Sequence, residues 1–148
     1  MRVSVIGGGT VGAGEKHYEQ AQQVGELLAE RGHTVVCGGR GGIMEAVCKG
    51  ASEADGRSIG ILPGTDRSAA NPFLTMAIAT GMGNARNPLV ALNGEGAIAI
   101  DGATGTLSEI GHALDFGRPV AGLGTHEIRG VEAVGTPEEA VSYVESQA

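Results

Sequence analysis

The chain has 148 residues, the size of one compact domain, and its 41% hydrophobic residues are enough for a core although only 3% are aromatic. A net charge of −7 and a pI near 5.0 argue against a nucleic-acid-binding protein, which needs a basic surface. No apolar run approaches the roughly 18 residues of a membrane span and no signal-peptide pattern follows Met1, so we expect a cytoplasmic protein without a membrane partner.

Short apolar runs alternate with helical patterns along the whole chain. In order, the first half reads as strand RVSVIGGG, helix EKHYEQAQQVGELLAERG, strand HTVVCGG, helix GGIMEAVCKGASEADG and strand SIGILPG. The second half reads as strand FLTMAIATG, helix NARNPLVALNGE, strand GAIAIDG, helix GTLSEIGHALDFG, strand RPVAGLG, the candidate seventh strand GVEAVG and helix TPEEAVSYVESQA. Thr136 is the expected N-cap of the last helix, with Pro137 at its first position.

This alternation predicts one α/β domain over residues 1–148, with neither a repeat nor a linker. The strands are continuously apolar, which is typical of a parallel sheet covered by helices on both faces. We therefore predict a Rossmann-like, doubly wound sheet of order 3-2-1-4-5-6, with the seventh strand as an optional extension.

Glycine-rich turns follow the four strands that this order places at the centre of the sheet. The turns GGGTVG, GGRGG, TGMGNAR and DGATGT would meet at the carboxyl edge, where backbone N–H groups and helix N-termini suit a phosphate. The alternative is tight packing alone. The predicted ligand-binding residues are Gly8, Gly9, Thr10, Gly39, Arg40, Gly41, Gly42, Met82, Gly83, Arg86, Asn87, Gly102, Thr104, Gly105 and Thr106.

GGGTVG also matches the dinucleotide-binding pattern G-x-G-x-x-G after a strand. That interpretation expects a carboxylate at the end of the second strand, but Cys37, Gly38, Gly39 and Arg40 stand there. The next helix also starts late, after Gly14. NAD is therefore disfavoured, while Arg40 leaves NADP open.

Glu109 has two interpretations. In the first, Thr106 is an N-cap and Glu109 closes a capping box. In the second, the carboxylate faces the ligand and stabilises positive charge on a sugar ring or holds a ribose hydroxyl. Arg86 is either a solvated residue at a helix start or a bidentate phosphate ligand.

No metal site is predicted. Glu109 and His112 form a single E-x-x-H, which is half of a di-iron signature without its second copy. Cys37 and Cys48 have no metal-binding spacing, and we expect two reduced, buried thiols.

The segments GGRGGIMEAVCKGA, TGMGNARN and DGATGTLSEI resemble those of the Lonely Guy-type proteins, long mislabelled as lysine decarboxylases. With this short length, TGMGNARN and GTLSEI are most similar to the molybdenum cofactor carrier-type branch. The resemblance covers the chain from the first to the sixth strand. It implies a Rossmann-like homodimer or homotetramer that binds a phosphorylated small molecule at the glycine-rich turns.

In the Lonely Guy enzymes the ligand is a cytokinin nucleoside 5′-monophosphate, which is hydrolysed to the base and ribose 5-phosphate. Their motif is P-G-G-x-G-T-x-x-E, with an upstream arginine followed by a lysine. The matching residues here are Gly102, Gly105, Thr106, Glu109 and Arg86. Three positions depart from the pattern: Asp101 replaces the proline, Ala103 replaces the second glycine and Asn87 replaces the lysine.

Two functions from different classes follow from the resemblance. The favoured one is a carrier-like protein that binds a nucleotide or the molybdenum cofactor without turnover and requires no cofactor of its own. The alternative is a nucleoside 5′-monophosphate phosphoribohydrolase, in which Glu109 stabilises an oxocarbenium-like ribosyl group and Arg86 holds the substrate. A nucleotide-sensing or structural module is the third option.

Overall fold

The computed structural model describes residues 1–148 as one seven-stranded parallel sheet with five α-helices, which confirms the predicted fold class. The strands are β1 (Arg2–Gly7), β2 (Thr34–Cys37), β3 (Arg57–Leu62), β4 (Met76–Ala79), β5 (Gly96–Ile100), β6 (Val120–Leu123) and β7 (Val131–Ala133). The helices are α1 (Lys16–Glu30), α2 (Ile43–Glu53), α3 (Asn87–Leu92), α4 (Thr104–Asp115) and α5 (Pro137–Gln147). Short 3₁₀ segments lie at Arg67–Ala69 and Gly83–Arg86.

The strand order is β4-β3-β2-β1-β5-β6-β7, which corrects the predicted position of the fourth strand. β4 pairs with β3 at the edge of the sheet, so the order reverses between β1 and β5 rather than between β1 and the fourth strand. The physical reason lies in the connections. Only the 3₁₀ segment Arg67–Ala69 separates β3 from β4, whereas the helix α3 lies between β4 and β5 and carries the chain across the sheet.

Helices cover both faces of the sheet. The larger core lies under α1, α2 and α5, and a smaller one lies under α3 and α4. All five residues of β5 are buried, as expected for a central strand of a parallel sheet. None of the five helices combines the length and hydropathy of a membrane-spanning segment.

Helix α5 begins as the sequence predicts. Thr136 is its N-cap and accepts a hydrogen bond from the Glu139 backbone N–H at 3.2 Å, and Pro137 is its first residue. Helix α1 begins at Lys16, nine residues after the end of β1, so its N-terminus does not directly follow the first glycine turn. This late start confirms one of the two grounds on which the sequence disfavours NAD.

Helices α1 and α2 pack at a distance that only glycine permits. A Cβ atom at Gly25 would lie 2.0 Å from the Val47 carbonyl oxygen, and one at Gly50 would lie 1.9 Å from that of Gln22. Each glycine is buried on its helix against the backbone of the other. The contact holds α2 against the sheet, with its first residue at the carboxyl edge.

We expect Gly25→Ala to lower the free energy of unfolding by about 1–3 kcal/mol, because the added methyl group forces α1 and α2 apart. Alanine would otherwise stabilise an exposed helix position by up to about 1 kcal/mol. Gly111→Ala in α4 is the matched control, since its Cβ would have no atom within 4 Å. Urea unfolding of both variants measures the two effects, and a stabilised Gly25→Ala would contradict this packing.

Candidate functional site

A crevice of about 400 Å³ opens at the carboxyl edge of the sheet, where the strand order reverses between β1 and β5. The turns after β1 and β5, the starts of α2 and α4, and the 3₁₀ segment before α3 form its walls. Its lining residues are Gly7, Gly8, Gly9, Thr10, Met44, Asn84, Arg86, Asn87, Asp101, Gly102, Ala103, Gly105, Thr106 and Glu109.

Nine of the sixteen residues predicted as binding or catalytic residues line this crevice: Gly8, Gly9, Thr10, Arg86, Asn87, Gly102, Gly105, Thr106 and Glu109. The others lie outside the lining and are Gly39, Arg40, Gly41, Gly42, Met82, Gly83 and Thr104. Five lining residues were not among the predicted ones: Gly7, Met44, Asn84, Asp101 and Ala103.

The second glycine turn supports the crevice rather than lining it. Gly42 has φ +65°, and a Cβ there would lie 2.2 Å from the Gly8 carbonyl oxygen. That oxygen accepts a hydrogen bond from the Ile43 N–H at 2.9 Å, which joins the start of α2 to the β1 turn. Gly39 packs against Leu62, so the glycines of this turn serve close packing.

Helix α4 begins at Thr104, three residues earlier than the capping-box interpretation requires, and that interpretation is wrong. Ala103 is the N-cap and has no side chain that could cap the helix, while Thr106 is the third helical residue. The first N–H groups of the helix therefore have no intrahelical partner and no side-chain acceptor. Gly102, with φ +108°, lies directly against Thr106 and lets the turn enter the helix at this angle.

Glu109 lies in the second turn of α4 with its side chain in the crevice. It is only 9% exposed, and its carboxylate accepts no hydrogen bond from the chain. Burial raises the pKa of Glu109 to about 7, although the positive charge of Arg86 opposes this shift. A buried carboxyl group without a hydrogen-bond partner costs stability, and this makes Glu109 a candidate functional residue.

Arg86 is buried and held by the backbone of the central strands. Its Nε donates to the Ile61 carbonyl at 2.9 Å and its Nη2 to the Gly38 carbonyl at 3.4 Å. Burial lowers the pKa of Arg86, and the charge of Glu109 opposes that effect. Arg86 reaches the crevice although it follows the edge strand β4. The Gly83 N–H donates to the Pro63 carbonyl at 2.8 Å, and this bond folds the segment after β4 back toward the crevice.

Asn87 connects Arg86 to helix α4. Its Oδ1 accepts from Arg86 Nη1, and its Nδ2 donates to Ser108 Oγ at 3.2 Å. Ser108 Oγ in turn donates to the Gly105 carbonyl at 2.9 Å. The residue that replaces the lysine of the Lonely Guy motif thus fixes the arginine relative to the helix that opens on the crevice.

Asp101 is the most informative residue that the site prediction left out. It directly follows β5 with φ +54°, a conformation that few non-glycine residues adopt and that this chain shows at one other aspartate, Asp55. One carboxylate oxygen lies near Gly8, 3.3 Å from where a Cβ there would be. The sequence already indicated that Asp101 is unusual, because it replaces the proline of the Lonely Guy motif beside a predicted phosphate site.

A second hollow, of about 470 Å³, lies beside β6 and β7. The Thr125 hydroxyl donates to the Asp101 carbonyl at 2.7 Å, and His126 Nε2 lies 2.9 Å from the Ala103 carbonyl oxygen, so its wall adjoins the crevice. Its charged lining residues, Glu127 and Arg129, are exposed to solvent. We place the site in the crevice because the buried, unpartnered polar groups converge there.

No group of three or more His, Cys, Asp or Glu side chains forms a metal-binding cluster. The thiols of Cys37 and Cys48 are free and buried, as the sequence predicts, and their sulfur atoms lie 3.6 Å apart beneath the second glycine turn. His112 stacks on Phe116 and does not line the crevice.

This chain belongs to the SLOG cluster4 family, since the model of that family matches residues 1–148. An uncharacterized protein of Archaeoglobus fulgidus is 43% identical over 144 residues, which cover 97% of this chain and 93% of the relative.

Two solved structures are similar over nearly the whole chain. The molybdenum cofactor binding protein of Rippkaea orientalis has a TM-score of 0.91 and 32% identity, covering 98% of this chain and 95% of that one. The Moco carrier protein of Chlamydomonas reinhardtii has a TM-score of 0.88 and 30% identity, covering 99% and 96%. The predicted resemblance to the molybdenum cofactor carrier-type branch is thereby confirmed.

The buried carboxyl group of Glu109 should make the free energy of unfolding depend on pH. Its folded pKa lies above the unfolded value of 4.5, so the folded state retains the proton longer and loses stability as pH rises through about 7. Glu109→Gln keeps the shape without the charge. Relative to the wild type, we expect its free energy of unfolding to rise by on the order of 2 kcal/mol from about pH 5 to about pH 8.

Urea unfolding at the two pH values measures this difference. Glu26→Gln, on the exposed side of α1, is the control for the loss of one carboxylate. An advantage of Glu109→Gln that stays the same at both pH values would show that the carboxyl group is not held in an unfavourable, buried environment.

Proposed function

We propose that this chain binds a phosphorylated heterocyclic small molecule in the crevice and carries it without turnover. The main observation behind this proposal is that the N-terminus of α4 has no side-chain cap and opens on the crevice. Beside it lies Glu109, which is buried and has no hydrogen-bond partner. Similarity to the Rippkaea and Chlamydomonas proteins, described as binding or carrying the molybdenum cofactor, favours that cofactor as the ligand over a nucleotide.

The phosphate end of the ligand fits the start of α4. The N–H groups of Thr104, Gly105 and Thr106 lack intrahelical acceptors, and the positive end of the helix dipole adds a favourable field. The glycines of the β1 turn line the same crevice. Such backbone donors hold an anion even though the molecule as a whole carries a net charge of −7.

The remaining lining groups suit the rest of a ligand that carries hydrogen-bond donors. Glu109 and Asp101 are acceptors when ionised, Thr10 and Asn84 offer adaptable polar groups, and Met44 provides an apolar contact. The volume of about 400 Å³ falls within the range of ordinary small-molecule sites. We propose that this part of the crevice holds the heterocycle.

Carriage is favoured over hydrolysis because of how the charged side chains are held. Three of Arg86's N–H donors are already used by Ile61, Gly38 and Asn87, which leaves fewer for a substrate. Asn87 cannot supply the positive charge of the lysine it replaces. Asp101 adds a negative charge beside the phosphate position, where a hydrolase would gain from a positive one.

Nucleoside 5′-monophosphate phosphoribohydrolase activity is the second candidate, and the buried Glu109 favours it. A carboxyl group with a pKa near 7 is a suitable acid or base at neutral pH. In this mechanism the base leaves with its bonding electrons, and ionised Glu109 stabilises the ribosyl cation and orients a water molecule. Arg86 would hold the substrate in place.

We also propose that the chain works as a homodimer or homotetramer in the cytoplasm. Met76 and Ile78 on the edge strand β4 are 56% and 44% exposed, and an apolar edge strand is a natural surface for self-association. A reducing compartment suits Cys37 and Cys48, which are free although their sulfur atoms are close.

We predict that the molybdenum cofactor raises the melting temperature by about 5–10 °C at a concentration about 100-fold above its Kd. Gly105→Asp should abolish this shift without unfolding the protein. Gly105 is exposed in the first turn of α4, a Cβ there meets no atom within 4 Å, and a carboxylate favours a helix N-terminus. The added carboxylate would, however, repel a phosphate bound at the same N–H groups.

Gly111→Asp is the control, because it adds the same charge to the exposed side of α4 away from the crevice. Differential scanning fluorimetry with inorganic phosphate, AMP and the molybdenum cofactor covers the ligand classes. If none of them stabilises the wild type, or if Gly105→Asp responds as the wild type does, the proposed site is wrong.

For the choice between carrier and hydrolase, we expect no release of adenine from AMP above the buffer rate. Chromatography of the reaction mixture measures this directly. Adenine release by the wild type that disappears in Glu109→Gln would establish the hydrolase and refute carriage without turnover.

A further inference from the structure

The crevice contains two carboxylates and a single cationic side chain. Asp101 and Glu109 both line it, and neither takes part in an ion pair, since both ion pairs of the molecule involve Glu145. The Asp101 side chain makes no hydrogen bond with the chain, and its only bonds are through its backbone. Arg86 is the single positive group in the lining.

This arrangement conflicts with the binding of a bare phosphate. Asp101 stands two residues before the N-cap of α4, and its carboxylate lies near Gly8 in the neighbouring β1 turn, so a phosphate at the helix start lies beside this carboxylate. The β1 turn offers no lysine or arginine, and Arg40 in the second glycine turn lies outside the lining and is exposed to solvent. The negative charges of the phosphate and the two carboxylates together exceed the single positive charge of Arg86.

We propose that the ligand binds as its magnesium complex, with Asp101 as the protein's direct ligand to the cation. Proteins usually hold Mg²⁺ through one or two carboxylates together with phosphate oxygens and water, rather than in a closed protein cage. The chain has no cluster of three His, Cys, Asp or Glu side chains, so phosphate oxygens and water would have to complete the coordination of the cation. Glu109, nine-tenths buried and without a partner, is the second carboxylate that faces the cation.

The backbone at Asp101 supports a specific role for its side chain. Positive φ costs free energy for a residue with a Cβ, and glycine would remove that cost. The conformation turns the carboxylate over the crevice, while Thr125 fixes the carbonyl from the other side at 2.7 Å. The strain thus places one oxygen ligand next to the phosphate position.

This inference rests on the proposed phosphate site, and Asp101→Asn tests it. Asparagine has the same shape and tolerates positive φ, so the variant should fold as the wild type does. Isothermal titration with AMP and with the molybdenum cofactor is run with saturating Mg²⁺ and again with EDTA. Asp115→Asn, at the exposed end of α4, is the control.

We expect Mg²⁺ to strengthen binding to the wild type at least about tenfold, through neutralisation of the charges around the phosphate. With Mg²⁺, Asp101→Asn should bind the ligand more weakly than the wild type, because it lacks the carboxylate that holds the cation. With EDTA it should bind the ligand more tightly, because the repulsion between that carboxylate and the phosphate is gone. Mn²⁺, which prefers the same oxygen ligands, should broaden the ³¹P resonance of the bound ligand in the wild type but not in Asp101→Asn.

Three other results would overturn the inference. Equal binding in Mg²⁺ and EDTA would leave the phosphate site intact but remove the cation. Weaker binding of Asp101→Asn in both buffers would mean that the carboxylate contacts N–H donors of the ligand directly. If neither ligand binds the wild type in either buffer, the proposed function itself fails and this inference with it.

Discussion

The site depends on the close approach of three backbone segments at the carboxyl edge of the sheet. The start of α2 is bonded to the β1 turn through Ile43 and Gly8, and Gly42 has no room for a side chain against that turn. On the other side, Gly102 lies in contact with Thr106 at the start of α4. Because each contact requires a missing Cβ, the glycines define how near the walls of the crevice can come to one another.

The same edge also carries polar groups that weaken the fold in the absence of a ligand. Glu109 is buried without a hydrogen bond, α4 starts without a side-chain cap, and Asp101 has a strained backbone. Single departures of this kind also occur elsewhere, since α1 starts without a side-chain cap and Asp55 has a positive φ, whereas α5 is capped by Thr136. In the crevice several of them meet, and such a combination is typical of sites that have been kept for binding at some cost in stability.

The sequence was sufficient for the fold class because apolar runs and glycine turns are local signals. It was insufficient for the position of β4, since the order of strands depends on which connection holds a helix that can cross the sheet. It also misplaced the start of α4 by three residues, because Thr106 and Glu109 have the spacing of a capping box. The conformation of the backbone at Gly102 and Ala103 decides the helix start, and residue types alone do not reveal it.

How Arg86 reaches the crevice shows why a site can be predicted correctly from a wrong strand order. The predicted order brought the turn after the fourth strand to the centre of the sheet. In the structure β4 is at the edge, and the 3₁₀ segment Gly83–Arg86 returns the chain over the end of β3. The guanidinium then spans the ends of β3 and β2 by donating to Ile61 and Gly38.

This anchoring bears on the distinction between carrying and catalysis. An enzyme gains rate only from interactions that are stronger in the transition state than in the ground state. Arg86 is fixed by carbonyl groups and by Asn87, and the N–H groups at the start of α4 are fixed by the helix, so both favour a bound phosphate equally at every stage. Among these groups, only Glu109 changes its charge near neutral pH. If the same crevice catalysed a reaction, Glu109 would therefore be the residue that acts as its acid or base.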